Sequence, residues 1–177
     1  MTTGPRDFVL QPTLTGARLE LRPLRPDDFE ALYSVARDPL IWAVHPEPNR
    51  HERPVFERFF AEALKSGGAL AVVDRAAGRI VGSSRYYDLD VEKSEIIIGY
   101  TFLSRSHWGG SFNREMKSLM LDHAFRFVEA VIFHVGENNI RSRKAMEKIG
   151  GVLSGSLEKL GPDGLPRRNV VYRIARL

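Results

Sequence analysis

The stretch WGGSFNREMKSLMLDHAF, Trp108 to Phe125, decides how this chain is read. Two adjacent glycines and a serine stand directly before an amphipathic helix pattern. Met116, Leu119, Met120, Ala124, Phe127 and Val128 recur at helical spacing over about residues 111–128 and predict one buried face. A helix start carries about half a positive charge and exposes unpaired N–H groups. Gly109 and Gly110 let the backbone approach a bulky anion. The segment is therefore either a phosphate or pyrophosphate cradle or a glycine turn capped by Ser111 or Asn113. Two familiar phosphate motifs, G-x-x-x-x-G-K-S/T and G-x-G-x-x-G, are missing from the chain.

Working outward, residues 94–103, SEIIIGYTFL, read as a strand entering this segment, and residues 130–135, AVIFHV, as an apolar, central strand leaving it. NNIRSRKAMEKIGG then reads as an Asn-capped helix closed by glycine at 150–151. VLSGSLEKL and RNVVYRIARL are strands joined through GPDGLP, a turn by composition. Towards the N-terminus, residues 79–88 and 69–74 are strands, and residues 54–65 form a helix ended by SGG. DPLIWAVHPEPNRHERP reads as a loop. A helix to about Arg37 starts at an Asp27 cap, and residues 18–24 form the first strand. Helices alternating with strands predict an α/β or α+β class, and 177 residues suffice for a single domain, 1–177.

Composition narrows the chemistry. The chain has no cysteine, which removes disulfides, thiolate metal sites and a cysteine acyl-enzyme. Its five histidines show no ligand spacing, so no metal is expected. A net charge of +4 suits an anionic ligand, while no aromatic-and-basic nucleic-acid motif is visible. There is no long apolar run, and the opening MTTGPRDFVLQP lacks the apolar core of a signal peptide. The expectation is a cytoplasmic protein with no membrane partner.

Joined together, SEIIIGYTFLSRSHWGG and VGENNIRSRKAMEKIGG resemble the GNAT superfamily of acyl-CoA-dependent N-acetyltransferases, near the branch of ribosomal-protein N-terminal (RimJ/RimL-like) acetyltransferases. The likeness runs from RLELRPLRPDDFEAL to the final hairpin. It implies a mixed central sheet of about six to seven strands flanked by about four helices. It also implies acetyl-CoA as co-substrate, a small-molecule, peptide or protein amine as acceptor, and a chain that is a monomer or homodimer. In the family the central helix start holds the coenzyme A pyrophosphate, which assigns Trp108, Gly109, Gly110, Ser111, Phe112 and Asn113 to that loop. The family's loop, Q/R-x-x-G-x-G/A, has here Ser106, Gly109 and Ser111 at its fixed positions, so only Gly109 matches. A strand bulge in the family frees backbone groups for the pantetheine arm, which implies Tyr100, Phe102 and Leu103, with Gly99 suited to the break. Asn139, Ser142 and Arg143 on the later helix complete the implied cofactor set.

Acetyl transfer needs a neutral amine, a polarised carbonyl and a proton for the departing thiolate. The resemblance implies Glu95 as base, with strand alternation putting it beside Ile97 and Gly99 and putting Tyr100 on the opposite face. The family's usual tyrosine acid corresponds to Met146, which leaves Ser142 as candidate donor, with Tyr100 and Tyr86 behind it. Trp42, His45, Tyr86 and Tyr87 are candidate acceptor-side residues. Two rivals stand beside this reading. One is a non-catalytic acyl-CoA sensor. The other is a serine hydrolase using Ser111, Asp122 and His134 through a broken G-x-S-x-G elbow.

Overall fold

The computed structural model describes residues 3–161 and 163–177. Eight strands form one sheet in the order β1-β2-β3-β4-β5-β6-β8-β7. They are β1 (Leu14–Thr15), β2 (Leu19–Pro23), β3 (Ala69–Asp74), β4 (Arg79–Asp90), β5 (Glu95–Leu103), β6 (Ala130–Gly136), β7 (Val152–Leu160) and β8 (Pro166–Ala175). The helices are α1 (Phe29–Ala36), α2 (Pro39–Trp42), α3 (Arg53–Ser66), α4 (Ser111–Ala124) and α5 (Ile140–Lys148). The expected mixed sheet is present with one strand more than foreseen, because two-residue β1 pairs Leu14 with Leu21. The extra helix, α2, lies in the segment expected to be a loop. Asp38 caps it by accepting from the Leu40 amide at 3.0 Å, and Pro39 occupies its first turn.

Two faces of the sheet are covered by different helices. On one, Met116 and Met120 of α4 pack with Leu19, Leu70, Ile96, Ile98 and Phe133, and Met146 of α5 joins the same core. On the other, Leu32 of α1 and Phe56, Phe59 and Phe60 of α3 pack with Trp42, Ala69 and Phe102. Burying each such side chain contributes about 1.5–3 kcal/mol. Helix α3 stops where Gly67 takes φ 69°, and α4 ends at Ala124, short of the 128 that apolar spacing predicts.

Asp28, not Asp27, precedes α1. Its carboxylate pairs both terminal nitrogens of Arg22 at 2.9 Å and accepts from the Arg25 amide at 2.8 Å. Burial pushes this carboxyl up, but those bonds outweigh burial and hold it below the ordinary range. Asp27 is exposed. The turn between β7 and β8 closes through Gly164 N–H to Gly161 C=O at 2.9 Å; Pro162 of the foreseen turn lies outside the described residues, as do Met1 and Thr2.

The feature that positions the site is the junction of β5 and β6. All other neighbours are antiparallel, whereas these two run parallel and pair only at Glu95–Ala130, Ile96–Val131 and Ile97–Ile132. Beyond Ile97 they separate. On the other side of β5, Arg85 stands opposite Gly99 and Ser83 opposite Phe102, so two β5 residues face one on β4. The bulge is carried by Tyr100, at φ 54°, and not by Gly99. Gly99 serves a different purpose: an added Cβ would meet the Tyr87 ring at 3.1 Å. The bulge also breaks alternation, so Tyr100 lies against Phe59 and Tyr87 instead of following Ile96 and Ile98 into the α4-side core.

Candidate active site

A cavity of about 720 Å³ occupies the opening between β5 and β6. Its lining includes Tyr100, Phe102, Leu103, Trp108, Gly109, Gly110, Asn113, Asn139 and Ser142, all foreseen as cofactor residues, and His45 and Tyr87, foreseen on the acceptor side. Because β5–β6 pairing ends at Ile97, the β6-facing edge from Ile98 to Leu103 has no strand partner there. An extended amide-bearing chain can pair with such an edge.

At the head of the cavity, Gly109 and Gly110 take φ 70° and 75°, and Gly110 is the N-cap of α4 with no side-chain cap. Added Cβ atoms at 109 and 110 would meet nothing within 4 Å, so the glycines are required by backbone conformation and not by crowding. Neither Ser111 nor Asn113 caps the helix. Ser111 Oγ accepts instead from the Arg18 guanidinium, which also lies 5.4 Å from the Phe112 ring centre. The uncapped amides, with Arg114 and Lys144 on the lining, fit a diphosphate. Arg141 lies 3.6 Å over the Trp108 ring, and Trp108 Nε1 donates to the Leu103 carbonyl at 2.9 Å, which fixes the wall.

On α5, Asn139 Oδ1 accepts from the Ser142 amide at 3.2 Å, so Asn139 is a helix cap as well as a lining residue. Ser142 itself is on the cavity lining. Arg143 is a correction. Its Nε donates to Tyr172 Oη at 3.2 Å and its Nη1 to the Glu137 carbonyl at 3.1 Å, which turns it away from the lining. Ser111 and Phe112 likewise sit beside the cavity and not on it.

Glu95 lies off the cavity lining. It stands at the closed end of the β5–β6 junction, opposite Ala130, with Arg173 Nε 3.3 Å from its carboxylate. Roughly 25 Å of strand separates it from Leu103. Tyr86 and Trp42 are corrected too. Each is 1% exposed and each is tied to backbone: Tyr86 Oη donates to the Met120 carbonyl at 2.6 Å, and Trp42 Nε1 to the Ala36 carbonyl at 2.7 Å. Trp42 supports the lining from behind, meeting His45 edge-on, Phe102 at 5.0 Å between ring centres and the Arg50 guanidinium at 5.2 Å.

Two histidines line the cavity, beside Glu47, which is paired with Arg50. Burial, then Arg50 and Arg141, push His45 down to about 3, so it is neutral near pH 7. Its Nδ1 accepts from the Glu47 amide at 3.0 Å, which puts its proton on Nε2. His134 on β6 is also held below the ordinary imidazole range, by burial and then by Lys159, and its buried Nδ1 has no protein partner. Burial raises the Tyr87 phenol, which stays protonated.

Lys117 is the residue that the sequence reading missed. It lies on α4, 4% exposed, with Nζ 3.1 Å from Thr101 Oγ1 and 5.2 Å from the Phe133 ring centre. Burial lowers it to about 8. The signal was a lysine directly beside Met116, inside the apolar stripe. Between pH ~8 and the unfolded lysine value of about 10.4 the folded state holds fewer protons than the unfolded chain, so stability from this group rises with pH across that window. Lys117→Met is expected to stabilise the protein at pH 7 by about 1–3 kcal/mol, and the gain should shrink towards pH 10. Urea midpoints at the two pH values check this, and an equal gain at both would remove the desolvation account.

The hydrolase constellation is not assembled. Ser111 and Asp122 lie on one helix roughly 16 Å apart along its axis, and Ser111 Oγ is engaged by Arg18. Among the described residues no cluster of His, Cys, Asp or Glu could hold a metal ion, and no helix is long and apolar enough to cross a membrane.

Comparison with known proteins agrees with this geometry. No curated protein matches the sequence closely. The chain is 25% identical to the acetyltransferase from Agrobacterium tumefaciens str. C58, covering 93% of this chain and 95% of that one at a TM-score of 0.71. A GCN5-related N-acetyltransferase from Brucella melitensis shares the fold at a TM-score of 0.83 and 19% identity, over 93% and 79% of the two chains. Mycobacterium smegmatis RimJ in complex with CoA-disulfide shares it at 0.71 and 21% identity, over 93% and 88%. The family model described as an acetyltransferase (GNAT) domain matches residues 18–152. The chain belongs to the GNAT acetyltransferase family.

Proposed function

We propose that the protein is an acetyl-CoA-dependent N-acetyltransferase that moves the acetyl group directly to a primary amine within a ternary complex. One observation carries this: a single cavity joins the uncapped start of α4, the free edge of β5 and a neutral histidine on β6. Bound acetyl-CoA would supply a thioester, whose carbon–sulfur bond breaks as carbon–nitrogen bonding forms. The amides after Gly110, with Arg114 and Lys144, would hold the diphosphate. The β5 edge at Tyr100 to Leu103 would align the pantetheine amides. Asn139 and Trp108 would border them.

In place of Glu95, His134 takes the proton from the incoming amine, since it faces the cavity and is neutral near pH 7. Ser142 returns a proton to the departing thiolate, with Tyr87 as a second hydroxyl on the lining. Much of the acceleration would come from holding the two reactants together.

The test has two parts. Calorimetry should detect coenzyme A binding to the folded protein, and a thiol-release assay with acetyl-CoA should register turnover across a panel of primary amines. Binding with no turnover on any amine would establish the sensor instead.

A further inference from the structure

Beside the β5 bulge, two arginines are buried without enough negative charge to balance them. Arg50 is 5% exposed and Arg85 is 6% exposed. Arg50 lines the cavity and pairs with Glu47, which lines it too. Among the described residues Arg85 makes no ion pair and no hydrogen bond, and the Nε atoms of both arginines are buried without partners. Both guanidinium groups rest on the Phe59 ring, at 4.5 Å for Arg50 and 5.6 Å for Arg85. Arg85 also lies 3.9 Å over the ring of Tyr100, the bulge residue. Glu62 on α3 is exposed and pairs with neither. Burial works against the charged form of each; Glu47 partly offsets this for Arg50, whereas the Arg50 charge adds to it for Arg85.

A buried guanidinium stays protonated, and an unpaired buried charge is costly unless a ligand completes it. Aromatic faces offset only a part of that cost. Arg50 is on the cavity lining, whereas Arg85 is not; Arg85 stands opposite Gly99 in the β4–β5 register, one residue before the bulge, and packs on Tyr100, which lines the cavity.

We propose that the acceptor is an amine that also carries a carboxylate, and that Arg50 holds this carboxylate, with Arg85 adding positive charge from beside the bulge, so that the amine meets the thioester there. This rests on the N-acetyltransferase reading above. The planar fork of a guanidinium matches a carboxylate, and the bond is strongest where water is excluded. Arg50 is then a specificity residue on the acceptor side and Arg85 a positioning residue, both separate from the basic residues around α4.

Matched pairs of primary amines test this: glycine against glycinamide, and β-alanine against β-alaninamide. Rates of thiol release are corrected for the fraction of neutral amine. The carboxylate member is expected to have at least about tenfold higher kcat/KM, and Arg50→Met should bring the ratio near one without moving the KM for acetyl-CoA. Arg50→Lys, which keeps the charge, should restore part of the preference. Calorimetric titration of the same pairs into the protein, with and without coenzyme A, needs no turnover. Selective binding of the carboxylates supports the proposal; equal binding of both members, or of neither, overturns it. Failure to bind coenzyme A would instead sink the acetyltransferase reading, leaving this titration to judge the arginine pair separately.

Discussion

His134→Gln is expected to lower kcat by about 10²–10³ while leaving acetyl-CoA affinity intact. The imidazole lies on the cavity lining, half-buried, and among the described residues its buried Nδ1 has no hydrogen-bond partner. Burial and Lys159 disfavour its charged form, so its apparent pKa falls below the ordinary histidine value. A base must be unprotonated to act. The wild-type rate should therefore hold steady as pH falls through 6.5 and decline only below that, a limb that His134→Gln should abolish. Glu95→Gln provides the contrast. With its carboxylate near Arg173 at the closed end of the strands, its loss should change kcat by no more than about twofold, within the range of a surface ion pair. A large loss at Glu95 with none at His134 would reverse the assignment.

The second large effect is at Gly110. Its φ of 75° with ψ of −134° is a conformation that residues with a Cβ strongly avoid. Gly110→Val must either hold that strain, about 1–3 kcal/mol, or rebuild the turn and re-aim the first amides of α4. The expected result is a 10–100-fold weaker Kd for coenzyme A by calorimetry, with little change in the acceptor KM. Because nothing lies within 4 Å of an added Cβ, Gly110→Ala should fall between wild type and valine if strain is the cause. A valine variant with wild-type affinity would mean that the loop's conformation is irrelevant to the anion.

Much of this was legible in the chain. Apolar spacing in α4, the Asn139 cap and the alternating strands are local signals, and the structure carries all of them. The coenzyme A reading of the loop before α4 and of the β5 edge came from the resemblance, and most of those residues, though not Ser111 or Phe112, line one cavity. What was hidden depends on contacts distant in sequence. Arg85 sits in SSRYYD and Arg50 in a proline-rich run, and nothing local shows that Phe59 and Tyr100 close over them. Glu95 falls off the cavity lining for a related reason. Alternation gives a side chain's face but not its position along an opening, and the pairing of β5 with β6 stops only two residues beyond Glu95. Tyr100 changed face because a bulge adds a residue that periodicity cannot count. Lys117 alone had a local clue, a charge inside an apolar stripe.

The parallel seam between β5 and β6 is three residue pairs long, yet it joins five strands on one side to three on the other. A bound extended molecule that pairs with the free edge of β5 would continue that seam as a borrowed strand. Occupancy would then act as a mechanical splint between the two parts of the sheet, so melting temperature should climb with the backbone-like arm of the ligand more than with its phosphates alone.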